Sequence, residues 1–133
     1  MCLYRVTKVR NLPVQVTAWK ILGVYGNDLR TPVQNTKIKR DEWNVVPTKF
    51  TLEAENNSGR CYTGGFHAYA RLEDARVSWM LEDCPDRKIF RVHLRGLLCF
   101  GRGDGGSCSK LSDQWVASKM RVVREEPGGA SCV

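Results

Sequence analysis

The sequence predicts an α+β domain: a mostly antiparallel, twisted sheet or part-closed β-barrel with one main helix packed on one face. Three observations predict it. Runs rich in β-branched and aromatic residues recur from residue 14 onward. One stretch alone, Arg71 to Asp83, changes to a helical period. No β-α-β alternation is present, which argues against a doubly wound nucleotide fold.

The elements follow in order. Val14 to Tyr25 reads as a strand, and Gly26-Asn27-Asp28 as the turn that ends it. Leu29 to Ile38 returns as a strand interrupted at Pro32, which cannot donate to a ladder and so marks an edge or a bulge. Trp43 to Val46 and Lys49 to Ala54 are short strands around Pro47, and Asn56-Asn57-Ser58-Gly59 is a loop. Gly64-Gly65-Phe66-His67 marks the passage from strand to helix. On the helix, Leu72, Ala75, Trp79 and Met80 share a face, Glu73 and Asp74 suit the positive end of its dipole, and Cys84-Pro85 ends it. Ile89 to Arg95 alternates, with Phe90, Val92 and Leu94 opposite Arg91, His93 and Arg95. Gly96 allows a bulge before Leu97 to Phe100 continues. Gly101 to Asp113 reads as a polar loop, and Trp115 to Val123 as the last strand.

A chain of 133 residues fits one domain. Residues 1–124 are expected to form it, with 125–133 as a flexible tail carrying Pro127, Gly128 and Gly129. Lys and Arg number 21 against 14 Asp and Glu, a formal charge of +7. That surplus favours polyanionic partners: nucleic acid, nucleotides or an acidic protein surface. No stretch reaches the roughly 18 apolar residues of a membrane helix, and Met1-Cys2-Leu3-Tyr4-Arg5 lacks the apolar core of a signal peptide. A cytoplasmic location without membrane association is the expectation. Cys2, Cys61, Cys84, Cys99, Cys108 and Cys132 then stay reduced, and with His67 and His93 they make no zinc-ligand spacing, so neither metal nor cofactor is expected.

Gly101-Arg102-Gly103-Asp104-Gly105-Gly106 matches G-x-G-x-x-G in letters only, because no helix follows. His67 has two readings. It contacts a phosphate, with Tyr69 offering a ring to a base, or it holds a backbone carbonyl while Phe66 anchors the helix entry. No nucleophile, base and orienting group stand together as catalysis requires, so an enzyme is not favoured. Arg91, His93 and Arg95 project from one face of a strand. If the last strand pairs with it, Lys119 and Arg121 join them in a cationic sheet surface suited to phosphates.

Several short motifs together resemble a group of small proteins of bacteria and their phages. They are Met1-Cys2-Leu3, Trp19-Lys20, Thr31-Pro32, Gly65-Phe66-His67, Asp74-Ala75, a strand ending at Gly96, and Val116-Ala117-Ser118-Lys119-Met120. The likeness spans most of residues 1–124. It implies a phage or mobile-element accessory protein, of a kind that counters host defence by blocking a defence protein or sequestering a nucleotide signal.

The charge, the Gly-Gly-Phe-His segment and the lack of a catalytic set point to a binding protein that sequesters a phosphate-bearing nucleotide signal without catalysis. The expected ligand residues are Trp19, Lys20, His67, Tyr69, Arg91, Arg95 and Lys119, in a monomer or a homo-oligomer. Two alternatives stand beside it: a protein-binding inhibitor of a host defence nuclease or effector, and a small nucleotide-processing or ADP-ribosyl-type enzyme.

Overall fold

The computed structural model describes residues 3–32, 35–46, 51–53, 61–78, 81, 85–104 and 111–127. The chain runs β1 (Leu3–Lys8), β2 (Gln15–Tyr25), β3 (Asp28–Arg30), β4 (Lys37–Ile38), β5 (Trp43–Val45), β6 (Thr51–Glu53), β7 (Cys61–Thr63), β8 (Phe66–Tyr69), α1 (Leu72–Arg76), β9 (Arg87–Asp104) and β10 (Leu111–Glu125). All strand pairs are antiparallel, and one isolated parallel bridge joins Arg40 to Val122.

The long β9–β10 hairpin carries the main sheet. On its free edge β9 pairs first with β2 and then with β1. On its free edge β10 pairs first with β8 and then with β5. β8 also meets β2, so β2, β9, β10 and β8 close a ring of four strands. The closing contact is narrow, Trp19 opposite Tyr69 alone, which leaves the ring short of a regular barrel. β3 and β4 extend the sheet beyond β2, while β6 and β7 form a separate pair.

The alternation that predicts β9 also builds the core. Phe90, Val92 and Leu94 pack with Ala18 and Leu22 of β2, Phe66 and Ala68 of β8, and Met120 and Val122 of β10, so all four ring strands feed one cluster. Burying each large apolar side chain of this kind contributes roughly 1.5–3 kcal/mol. A second cluster ties β1 down through Leu3 and Val6 against Tyr62, Cys99 and Val116. A third sets α1 on the sheet, with Ala75 against Ile21, Tyr69 and Ile89.

The mostly antiparallel sheet agrees with expectation, but the helix does not. It ends at Val77 rather than running to Asp83. Ser78 turns back instead: its amide bonds to Ala75 O at 3.2 Å, and its hydroxyl, buried, meets the Tyr69 hydroxyl at 2.9 Å. That tertiary bond outweighs a helical period whose isolated propagation is weak. Trp79, Met80 and Cys84 lie outside the described residues, as does the Asn56-Asn57-Ser58-Gly59 loop.

Three other expectations change. Leu29 to Ile38 is a hairpin, not one interrupted strand, and Asn35 at φ 56° supplies its positive-φ position. The glycines of 101–104 lie inside β9, not in a loop. Gly101 is there because β1 passes so close that a Cβ would strike Arg5 O, and Gly103 because a Cβ would fall 2.8 Å from Gln114 Nε2. β1 itself was not expected from the sequence. Of the expected tail, Glu125 ends β10 and Glu126 is buried, while residues 128–133 lie outside the described residues.

The bulge anticipated at Gly96 lies beside it in β9, with Leu98 as the extra residue. Val116 pairs with Cys99, but Ala117 pairs with Leu97, so one residue of β9 is extra at that point. Gly96 takes φ 62°, and a Cβ there would strike Ser118 Oγ. Both constraints oppose any side chain. Gly96→Ala is expected to lower stability by about 2 kcal/mol in urea titration. Adding Ser118→Ala should recover the clash but not the φ strain, leaving a deficit of about 1 kcal/mol; full recovery would show that the backbone relaxes freely.

Candidate functional site

The expected ligand residues divide between the interior and one open face. Lys20, His67 and Tyr69 go inside. Lys20 shares its side of β2 with Ala18 and Leu22, the side that feeds the ring core. Its ammonium is buried and donates to His67 O at 2.6 Å. Burial pulls its pKa down from the usual range to about 8. The Tyr69 ring is fully buried beneath α1.

His67 is held at both ring nitrogens. Nδ1 lies 3.0 Å from Gly65 O, which only accepts, so Nδ1 carries the proton. Nε2 then accepts from the Tyr62 hydroxyl at 3.0 Å, and that oxygen accepts from Leu3 N at 2.8 Å. Burial first, and the Lys20 charge second, hold the imidazole neutral by lowering its pKa to about 3. This relay fastens β1 to the β7–β8 segment. It is the carbonyl-holding role of the two readings offered by the sequence.

Trp19, Arg91, Arg95 and Lys119 share the outward side of the sheet, Arg95 and Lys119 exposed, and Trp19 and Arg91 half-buried where Trp19 packs on the α1 cluster. Direct cross-strand partners point to the same side of a sheet. Gln15, Arg95, Lys119 and Val45 form one such row across β2, β9, β10 and β5. Thr17, His93, Arg121 and Trp43 form the next, and Trp19, Arg91 and Arg124 a third. Arg95 donates from Nε to Gln15 Oε1 at 2.7 Å, and its guanidinium lies 4.8 Å from the Trp43 ring centre. Arg91 lies 6.0 Å from the Trp19 ring centre.

One arginine of this face is neutralised, Arg91 at its Trp19 end. Glu126 accepts from Arg91 Nε at 3.0 Å and from Trp19 Nε1 at 3.1 Å. Burial pushes the Glu126 carboxyl up, but the Trp19 bond and the Arg91 charge outweigh it and hold the group below its usual range. By contrast, among the described residues no carboxylate pairs with Arg95, Lys119 or Arg121. Like charges directly opposite each other destabilise a sheet. Arg95 and Lys119 are such partners, both exposed.

Cys99 is a poor nucleophile. The Cys99 thiol is buried and pushed up to about 12, and burial of this sort makes a thiol inert. Among the described residues no cluster of metal-binding side chains exists, and no helix is long and apolar enough to cross a membrane. Trp43, Gln15 and Glu126 were missed as members of the face. Their signal was the register of β5 and β2, which residue spacing does not carry. Comparison with known proteins identifies no matching family model, no matching curated protein and no matching solved structure.

The interior pair gives stability two pH windows. His67 titrates near 6.5 when unfolded and near 3 when folded, so the unfolded chain takes up a proton first as pH falls. Stability therefore declines below pH 6.5, with a slope of up to about 1.4 kcal/mol per pH unit that His67→Gln removes. Lys20 loses its proton near 8 when folded but near 10.5 when unfolded, so stability rises between those values. That rise should vanish in Lys20→Met. Urea midpoints from pH 5 to 10 check both, and flat profiles in the wild-type protein would contradict the burial described.

Proposed function

We propose that this chain is a non-catalytic binding protein for a phosphate-bearing ligand, taken up on the open face of β2, β9, β10 and β5. The observation that carries the reading is the Arg95–Lys119 pair. It opposes like charges with no carboxylate beside them among the described residues. The sheet bears that repulsion at a cost in stability which an anion would relieve. Arg121, two residues along β10 from Lys119, extends the same field. Trp43, half-buried beneath Arg95, adds an aromatic surface next to the charges.

The biological form we carry forward is a phage-type accessory protein that sequesters a nucleotide signal of host defence in the host cytoplasm. Val45 favours a second reading. It is 58% exposed and sits opposite Lys119, an apolar contact beside the charges of the kind a protein partner would cover. In that reading the face blocks an acidic surface of a defence nuclease or effector.

Thermal shift against cyclic dinucleotides, ADP-ribose and short oligonucleotides tests the first reading. A ligand at a hundredfold excess over its Kd should stabilise the protein by about 2.7 kcal/mol, seen as a rise of several degrees in Tm. The rise should be lost in Arg95→Gln/Lys119→Gln, whose own Tm stays level or increases as the repulsion is removed. No shift with any phosphate compound at low salt would overturn the proposal.

A further inference from the structure

Resting on that reading of the open face, the geometry points to a single-stranded nucleic acid, several nucleotides long, as the ligand. The face has two aromatic–arginine pairs, not one. Arg95 lies over Trp43, and Arg91 lies beside Trp19. Their arginines stand four residues apart on β9, about 13 Å along the strand, and their rings lie three strand spacings apart, on β2 and β5, about 14 Å across the sheet. Lys119 and Arg121 lie on β10, opposite Arg95 and His93, within the same stretch.

That spacing selects for length. At the stacked rise of 3.4 Å per nucleotide, about 13 Å is roughly four steps, and fewer when the strand is extended. A mononucleotide reaches one aromatic pair but not the other. The chemistry selects for unpaired bases. A tryptophan ring or guanidinium plane can stack only on a base whose face is free, and in a duplex those faces are covered. The face spreads over four strands, whereas a major groove admits an α-helix or a two-stranded ribbon. Binding of this kind tolerates sequence, because every base has a stacking face while the cations follow the backbone.

The ends of the face differ in a way that fits a strand crossing it. At the Trp19 end, Glu126 already neutralises Arg91 and fixes the indole by its Nε1. At the Trp43 end, Arg95, Lys119 and Arg121 lack carboxylate partners among the described residues. Phosphates are therefore drawn to the β10 side, and Trp19 serves as a stacking surface without a phosphate contact.

Fluorescence anisotropy with a labelled fifteen-residue oligothymidylate tests the inference, measured between 50 and 200 mM salt. Competitors are thymidine monophosphate, a cyclic dinucleotide, the matched duplex and polyglutamate. The expected result is binding that weakens with salt, with a log–log slope near −2 for three phosphate contacts at about −0.7 each. Arg121→Gln should lower the slope by about 0.7. Trp43→Ala should weaken binding roughly tenfold at an unchanged slope, as lost stacking would. Unlabelled oligothymidylate should compete at least a hundredfold better than the monophosphate.

Equal competition by the monophosphate or cyclic dinucleotide would overturn the inference while leaving the phosphate-binding reading in place. Preference for the duplex would do the same. Displacement by polyglutamate alone would overturn the inference and favour the protein-blocking reading. No binding of any phosphate compound would remove both proposals together.

Discussion

Every other strand of the main sheet depends on the ladder between β9 and β10. These two strands offer one edge each, and both edges are used twice along their length. The bulge beside Gly96 lies where β9 changes partner from β2 to β1, close to where β10 changes from β5 to β8. A bulge bends a strand and increases its twist. The hairpin thus curls enough for β8 to reach β2 and close the ring, with Arg95 and Lys119 on its outward side beside the bulge.

The interior relay and the open face are two consequences of one closure. Closing the ring forces an amine and an imidazole into an apolar core, and each must find a partner there. Lys20 takes the His67 carbonyl, and the His67 ring takes Gly65 and Tyr62. The Gly-Phe-His segment is therefore best understood as a joint between β1, β7 and the ring. Meanwhile the outward side of β9 and β10 is left with Arg91, His93, Arg95, Lys119 and Arg121, of which Arg91 alone has a carboxylate among the described residues.

What was legible beforehand follows a physical pattern. β2 and the first half of β9 announce themselves by their own side chains, so their strands and the outward Arg91, His93 and Arg95 could be foreseen. β1 could not, because its buried residues Leu3 and Val6 are three apart and register shifts interrupt its pairing with β9. Lys20 was ambiguous for a related reason: β2 is apolar on both faces around it, with Ala18 and Leu22 on one side and Trp19 and Ile21 on the other. The short helix was misjudged because the Ser78–Tyr69 bond that ends it is tertiary. Trp43 became a site residue only through the β5–β10 register, which no local pattern encodes.

The claim at the centre of this account is that ligand engages the outward side of β9, β10 and β5, and it is most directly tested by amide chemical-shift mapping with a short oligothymidylate. The account predicts that shifts concentrate at Trp43, Val45, Arg95, Lys119 and Arg121 and at the Trp43 and Trp19 indole N–H signals, with Lys20, His67 and Tyr69 little changed. Shifts centred instead on Arg5, Lys8 and Arg10 along β1, or on the Gly65–His67 joint, would contradict it.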